Sequence, residues 1–143
     1  MSDGDADLKA LLASLLGAMP FAPALGVEIV SATKGSVILE VPLSPALEAP
    51  PGSFAASSVG VLGDMAAMLA VTSAMPTGNA MSTLDFTIKM LGKSVGTRLR
   101  AIGEAKQIGK TTCVGASEIM VKQNGDWVAC GTLLATGRRI SFA

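Results

Sequence analysis

The sequence predicts an α+β fold: an antiparallel sheet of about six strands around one long central helix, with a short helix ahead of it. Three observations predict this. One apolar stretch, residues 54–75, lacks Pro and is too long for a strand. Six shorter runs are rich in β-formers and alternate in polarity. Turn residues separate most of those runs, so strands and helices are segregated along the chain rather than alternating. With 143 residues, half of them hydrophobic, the chain is expected to be a single domain, residues 1–143, in which residues 1–24 form the N-terminal helix and its lead-in.

Taken in order, Leu8, Leu11, Leu12 and Leu15 recur at helical spacing and predict a helix over 6–19, stopped by Pro20 and Pro23. Two strands follow, 26–32 and 36–43, with Thr33-Lys34-Gly35 as their hairpin turn. A loop with three prolines, 44–52, leads to Ser53, a candidate N-cap for the long helix. Beyond Pro76-Thr77-Gly78 the polarity period changes, and strands are predicted over 81–91, 97–106, 111–122 and 127–137, joined mostly by hairpins. Asn124-Gly125 is a strong two-residue hairpin signal.

Composition removes several chemistries. There is no His, so Ser-His-Asp and Cys-His nucleophile schemes and His-based metal sites are not expected. Lys plus Arg balances Asp plus Glu at eleven each, and aromatics are only 3%. Neither a phosphate backbone nor stacked bases would be held, so no nucleic-acid partner is expected. Cys113 and Cys130 lack a CxxC spacing and read as buried strand residues in a reducing compartment. The acidic N-terminus lacks the basic start of a secretory signal, and a cytoplasmic location is the expectation. No Gly-rich phosphate loop is present and no cofactor is expected.

Within the long helix, Asp64 is the only ionisable group. A helix apolar nearly all round is either buried in protein or spans a bilayer. A charge at its midpoint is expensive in lipid, no basic residue flanks the stretch, and the buried-in-protein reading is preferred. A buried carboxylate still needs a partner, or its pKa rises, which makes Asp64 a candidate functional acid as well as a candidate structural one. Gly60 and Gly63 beside it predict close backbone approach in helix–sheet packing. At the helix start, the N–H groups around Ala55, Ala56 and Ser57 carry the positive end of the helix dipole and are suited to a developing oxyanion. Asp85 is expected on one face of its strand with Thr83 and Thr87, opposite Leu84, Phe86 and Ile88; a carboxylate pair with Asp64 is conceivable. Glu40, Glu104 and Glu118 read as solvated or ion-paired strand residues.

The order of elements, together with Leu62-Gly63-Asp64-Met65-Ala66, the run Thr83-Leu84-Asp85-Phe86-Thr87-Ile88 and Gly109-Lys110-Thr111, resembles the phenylacetic-acid-pathway type of hot-dog-fold thioesterases. The resemblance runs from about Leu25 to Thr136. It implies a hot-dog fold and hydrolysis of an acyl-CoA thioester, with Asp64 as general base or nucleophile. It further implies that the Ala56 N–H polarises the carbonyl and that Thr83 positions water. The sites would form across a homodimer or a dimer of dimers, with no membrane partner. Ala55, Ser57 and Met68 are then expected to line the substrate site. Lys110 and Arg138 are candidates for the nucleotide end of CoA, with Arg139 and Lys93 behind them. Where the family has His-Gly-Gly at the helix start, this sequence has Ala55-Ala56-Ser57. The alternative implied is a non-catalytic hot-dog protein that binds acyl-CoA or serves as a scaffold.

Overall fold

The computed structural model describes residues 2–142. Its elements are α1 (Asp3–Gly17), α2 (Phe21–Leu25), β1 (Glu28–Thr33), β2 (Ser36–Pro42), α3 (Ala56–Ser73), β3 (Asn79–Met90), β4 (Arg98–Ile108), β5 (Thr112–Gln123) and β6 (Asp126–Ser141). The six strands form one antiparallel sheet in the order β1-β2-β4-β5-β6-β3. This is the hot-dog arrangement: the sheet wraps α3, fourteen of whose eighteen residues are buried.

Local chemistry accounts for the element ends. Ser2 and Asp5 form a capping box that starts α1 three residues ahead of the expected position. Pro20 and Pro23 do not simply end the helical region, as the sequence suggested. Pro20 caps the short α2 and Pro23 sits in its first turn, where a missing N–H costs nothing. Asn124 (φ 50) and Gly125 (φ 86) both take the left-handed conformation of a type I′ turn, as their dipeptide predicts.

Two further expectations are corrected. The cap of α3 is Ala55, not Ser53, and it makes no side-chain cap hydrogen bond. Ser53 instead lies buried beside Ser94, with their hydroxyls 3.4 Å apart. The helix is accordingly Ala56–Ser73 rather than 54–75. Hairpins join β4 to β5 and β5 to β6, as expected for most of these connections, but not β3 to β4. Residues 91–97 carry the chain across to the far side of β5 and β6, which leaves β3 as an edge strand paired only to β6.

The helix lies on the sheet through small residues. A Cβ placed on Gly103 would meet the Ala66 carbonyl oxygen at 2.1 Å, and one on Gly115 would meet that of Ala67 at 2.6 Å. Backbone therefore rests on backbone at the centre of the core. Gly63 packs against Ile119 and Leu133, and the Ser117 hydroxyl donates to its carbonyl at 2.9 Å. Close approach to the sheet, expected for Gly60 and Gly63, is what these contacts show; Gly60 meets the Phe86 ring. Among the described helices, α3 alone is long and apolar enough to cross a membrane, and most of it is buried inside this protein.

On the outer face of the sheet, Glu40 is buried between two guanidinium groups, Arg98 at 2.7 Å and Arg100 at 2.6 Å. Arg98 also pairs with Glu28, and Arg100 stacks 4.4 Å from the centre of the Trp127 ring. Of the two readings open for Glu40, the ion-paired one holds. Glu104 pairs with Lys106 at 3.1 Å, and Glu118 accepts from the Thr132 hydroxyl at 2.7 Å. Cys113 and Cys130 are buried free thiols, and burial pushes Cys130 up to about 11, which keeps it protonated and inert.

Candidate functional site

Asp64 sits at mid-helix on the one stripe of α3 that the sheet does not cover. Along that stripe lie Ser57 and Val61, both exposed, then half-buried Asp64. The sequence left open what such an acid would meet. In the fold it meets Thr83 of β3, whose hydroxyl Oγ1 donates to the Asp64 carboxylate Oδ1 at 2.9 Å.

This contact depends on a β-bulge. In the register of β3 against β6, Thr83 pairs with Gly137 and Asp85 with Thr136, so Leu84 is the extra residue. The bulge resets the alternation of the strand. Thr83 turns to the helix side along with Phe86 and Ile88, both of which approach Gly60. Asp85 and Thr87 turn to the outer face, and Asp85 is exposed. The expected grouping of Thr83 with Asp85 and Thr87 is therefore wrong, and Asp85 forms no carboxylate pair with Asp64. An unbroken alternation of period two, the only strand rule available from sequence, cannot show a bulge.

Asp64 and Thr83 open into a cavity of about 260 Å³. Its other walls are almost wholly apolar and come from α1, α3, β3 and the end of β6. Met68, expected at a substrate site, is one of them. Burial raises the Asp64 carboxyl above its usual value of 3.8, and the hydrogen bond from Thr83 partly opposes that rise. A carboxylate so placed holds a proton more readily than one in water, which suits it to take one from a bound water. Oδ1 is fixed by Thr83, which orients the group.

The remaining candidates lie elsewhere. Ala56 and Ser57, the first two residues of α3, have no acceptor within the helix for their N–H groups, and both are exposed. The Ala55 N–H is occupied by the Leu47 carbonyl at 2.9 Å. Ala56 is eight residues from Asp64, roughly 12 Å at 1.5 Å per residue, so one chain does not bring both to a single carbonyl. Lys110 is exposed in the turn between β4 and β5. Arg138 pairs with Ser82 and Thr112 on the outer face, away from the cavity. Arg139 donates to the Asn79 side chain at 3.0 Å.

Sequence reasoning did not find the cavity walls supplied by Leu15, Met19, Ile140 and Phe142. They come from opposite ends of the chain, and nothing local marks them as neighbours.

Solved structures with this architecture are numerous. A thioesterase family protein from Silicibacter pomeroyi superimposes with a TM-score of 0.88 at 25% identity, covering 94% of this chain and 98% of that one. The PaaI protein of the E. coli phenylacetic acid degradation operon gives 0.77 at 23% identity, covering 95% and 98%. A thioesterase from Haemophilus influenzae gives 0.78 at 18% identity, covering 92% and 91%. No family model and no curated protein sequence matches the chain. The structural likeness agrees with the resemblance carried by the residues around Asp64 and Thr83. The chain has the fold of the hot-dog thioesterases of the PaaI-like type.

Proposed function

We propose that this protein hydrolyses the thioester of an acyl-CoA, working as a cytoplasmic homo-oligomer with each site shared between two copies. The observation that carries the reading is the Asp64–Thr83 pair at the mouth of an apolar cavity, in a fold whose solved neighbours include proteins named thioesterases. Asp64 takes a proton from water as the water oxygen attacks the thioester carbon. The negative charge that forms on the carbonyl oxygen is met by the Ala56 N–H and the dipole at the start of a second copy's helix. The C–S bond then breaks, and free acid and CoA leave. Ala55 and Ser57 flank that carbonyl, and Lys110 is the basic group offered to the CoA phosphates.

Two features support the shared site. One is the separation of Ala56 from Asp64 along a single helix. The other is β3 itself, a twelve-residue edge strand with Leu84, Phe86 and Met90 exposed. Long edges with apolar side chains are templates for pairing with another chain.

The test is release of free CoA from a panel of acyl-CoAs by the unaltered protein. With Ala in place of the family's His at the helix start, kcat/KM is expected near or below the low end of the enzyme range, about 10⁴ M⁻¹ s⁻¹. That same Ala55 favours a second reading, a non-catalytic acyl-CoA binder. Measurable binding without release from any thioester would establish it in place of hydrolysis.

Thr83→Val separates the role of the hydroxyl from that of the carboxylate. The hydrogen bond favours ionised Asp64, so its loss raises the carboxyl further. The acidic limb of the rate profile moves to higher pH, and the plateau falls by about 10–100-fold, the worth of a hydrogen bond to a charged group. A limb that stays in place would remove Thr83 from the mechanism.

A further inference from the structure

We propose that the cavity beside Asp64 is a ruler for an unsubstituted aliphatic acyl chain of medium length, and that the end of α1 sets the length. The inference rests on the thioesterase reading for the identity of the ligand, and on the cavity itself for its size and character.

Six residues make up most of the cavity's apolar lining. Leu15 comes from the last turn of α1, and Met19 lies one helical turn further on. Met68 comes from α3, Met81 from β3, and Ile140 and Phe142 from the end of β6. Leu12 and Leu16 of the same helix are buried in the core, which anchors α1 and holds Leu15 over the cavity. Three thioethers in this wall give a soft surface that follows a flexible chain. The volume is about 260 Å³. A dry cavity of about 150 Å³ accepts benzene, so by proportion this one accepts roughly ten carbons.

The wall also has little to offer a polar substituent. Among the described residues its only polar side chains are Asp64, Thr83 and Thr72. The first two bond each other, and the Thr72 hydroxyl donates to the Met68 carbonyl at 2.8 Å. A ring hydroxyl at the far end would therefore lose water and gain no equivalent partner.

S-alkyl-CoA thioethers from butyl to dodecyl test this without requiring turnover. Affinity is expected to rise about fourfold per methylene, equivalent to ~0.8 kcal/mol, and to level off near eight to ten carbons. A 4-hydroxyphenethyl thioether is expected to bind about 10–100-fold more weakly than its phenethyl counterpart. Leu15→Trp fills the far end. It should lower octyl and decyl affinity at least tenfold more than butyl affinity, about two methylenes' worth. Leu15→Ala with Met19→Ala should extend the plateau to longer chains, and this pair serves if the Trp variant does not fold. A flat ladder, a ladder unmoved by both variants, or tightest binding of the hydroxyaryl probe would overturn the proposal. A ladder with the expected plateau, but no hydrolysis of matching thioesters, would sink the hydrolytic reading and leave the ruler standing.

Discussion

Asp64→Asn is expected to lower kcat/KM for thioester hydrolysis by about 10²–10⁴, the usual contribution of a positioned general base. The substitution keeps the shape of the side chain and an oxygen for Thr83 to donate to, and removes only the capacity to accept a proton. Stability distinguishes this from unfolding. Burial raises the Asp64 carboxyl above 3.8, so the folded state favours the neutral form. Stability linked to this group is fully present below pH 3.8 and is lost as pH rises through the raised value. At neutral pH the ionised side chain is a liability that Asn lacks. The variant should therefore melt at or above the temperature of the unaltered protein while hydrolysing far more slowly. Unchanged turnover would remove Asp64 from the mechanism. Label found in Asp64 after a single turnover in ¹⁸O-labelled water would show direct attack by the carboxylate, with water then opening the resulting anhydride at the Asp64 carbonyl.

Gly103→Ala is expected to be the most damaging single-methyl addition to the core. Its Cβ would lie 2.1 Å from the Ala66 carbonyl oxygen and 2.4 Å from the carbonyl carbon. Neither atom belongs to a side chain that can rotate away. To reach even 3.0 Å, helix and strand must separate by about 0.9 Å, the difference between 3.0 and 2.1 Å. A loss of at least ~3 kcal/mol follows, the upper end of overpacking costs. For a chain of this size that lowers Tm by roughly 2–4 °C per kcal/mol. Asp64 lies two residues before Ala66, so the same displacement would weaken its bond to Thr83 and reduce activity in the molecules that remain folded. Gly17→Ala is the control: a Cβ there meets nothing within 4 Å, and no destabilisation is expected. Equal melting of Gly103→Ala and Gly17→Ala would show that the helix is not seated on the sheet as described.

These two positions differ in how far the sequence reveals them. Asp64 stands out because it is the one charge in an apolar helix, and burial cost alone marks it. Gly103 is unmarked. Glycines were singled out in the helix, at Gly60 and Gly63, where propensity makes them costly; in a strand flanked by Ile102 and Glu104 the same residue draws no notice. The backbone contact that makes it necessary spans 37 residues of chain, from Ala66 to Gly103.

Thr83 falls between the two. Its position was legible through the family resemblance, but the face it presents was not. Strict alternation put it with Asp85, on the wrong side of the sheet. A single extra residue at Leu84 corrected that, and the correction is what joins Thr83 to Asp64. Ser53 failed as a cap for a related reason: its side chain found a buried partner in Ser94, from a distant loop, and the helix began two residues later than a Ser53 cap implied.

By itself the sequence determined α1, α3, the six strands and the anomaly of Asp64, though not the short α2. Periodicity, turn chemistry and the cost of a buried charge act over a few residues and can be read locally. Only the tertiary structure decided which strand lies at the edge, which face Thr83 presents, and that Leu15, Met19 and Phe142 close a cavity with Asp64. Each of these depends on contacts between segments far apart in the chain, where register and close packing fix the outcome and local preference does not.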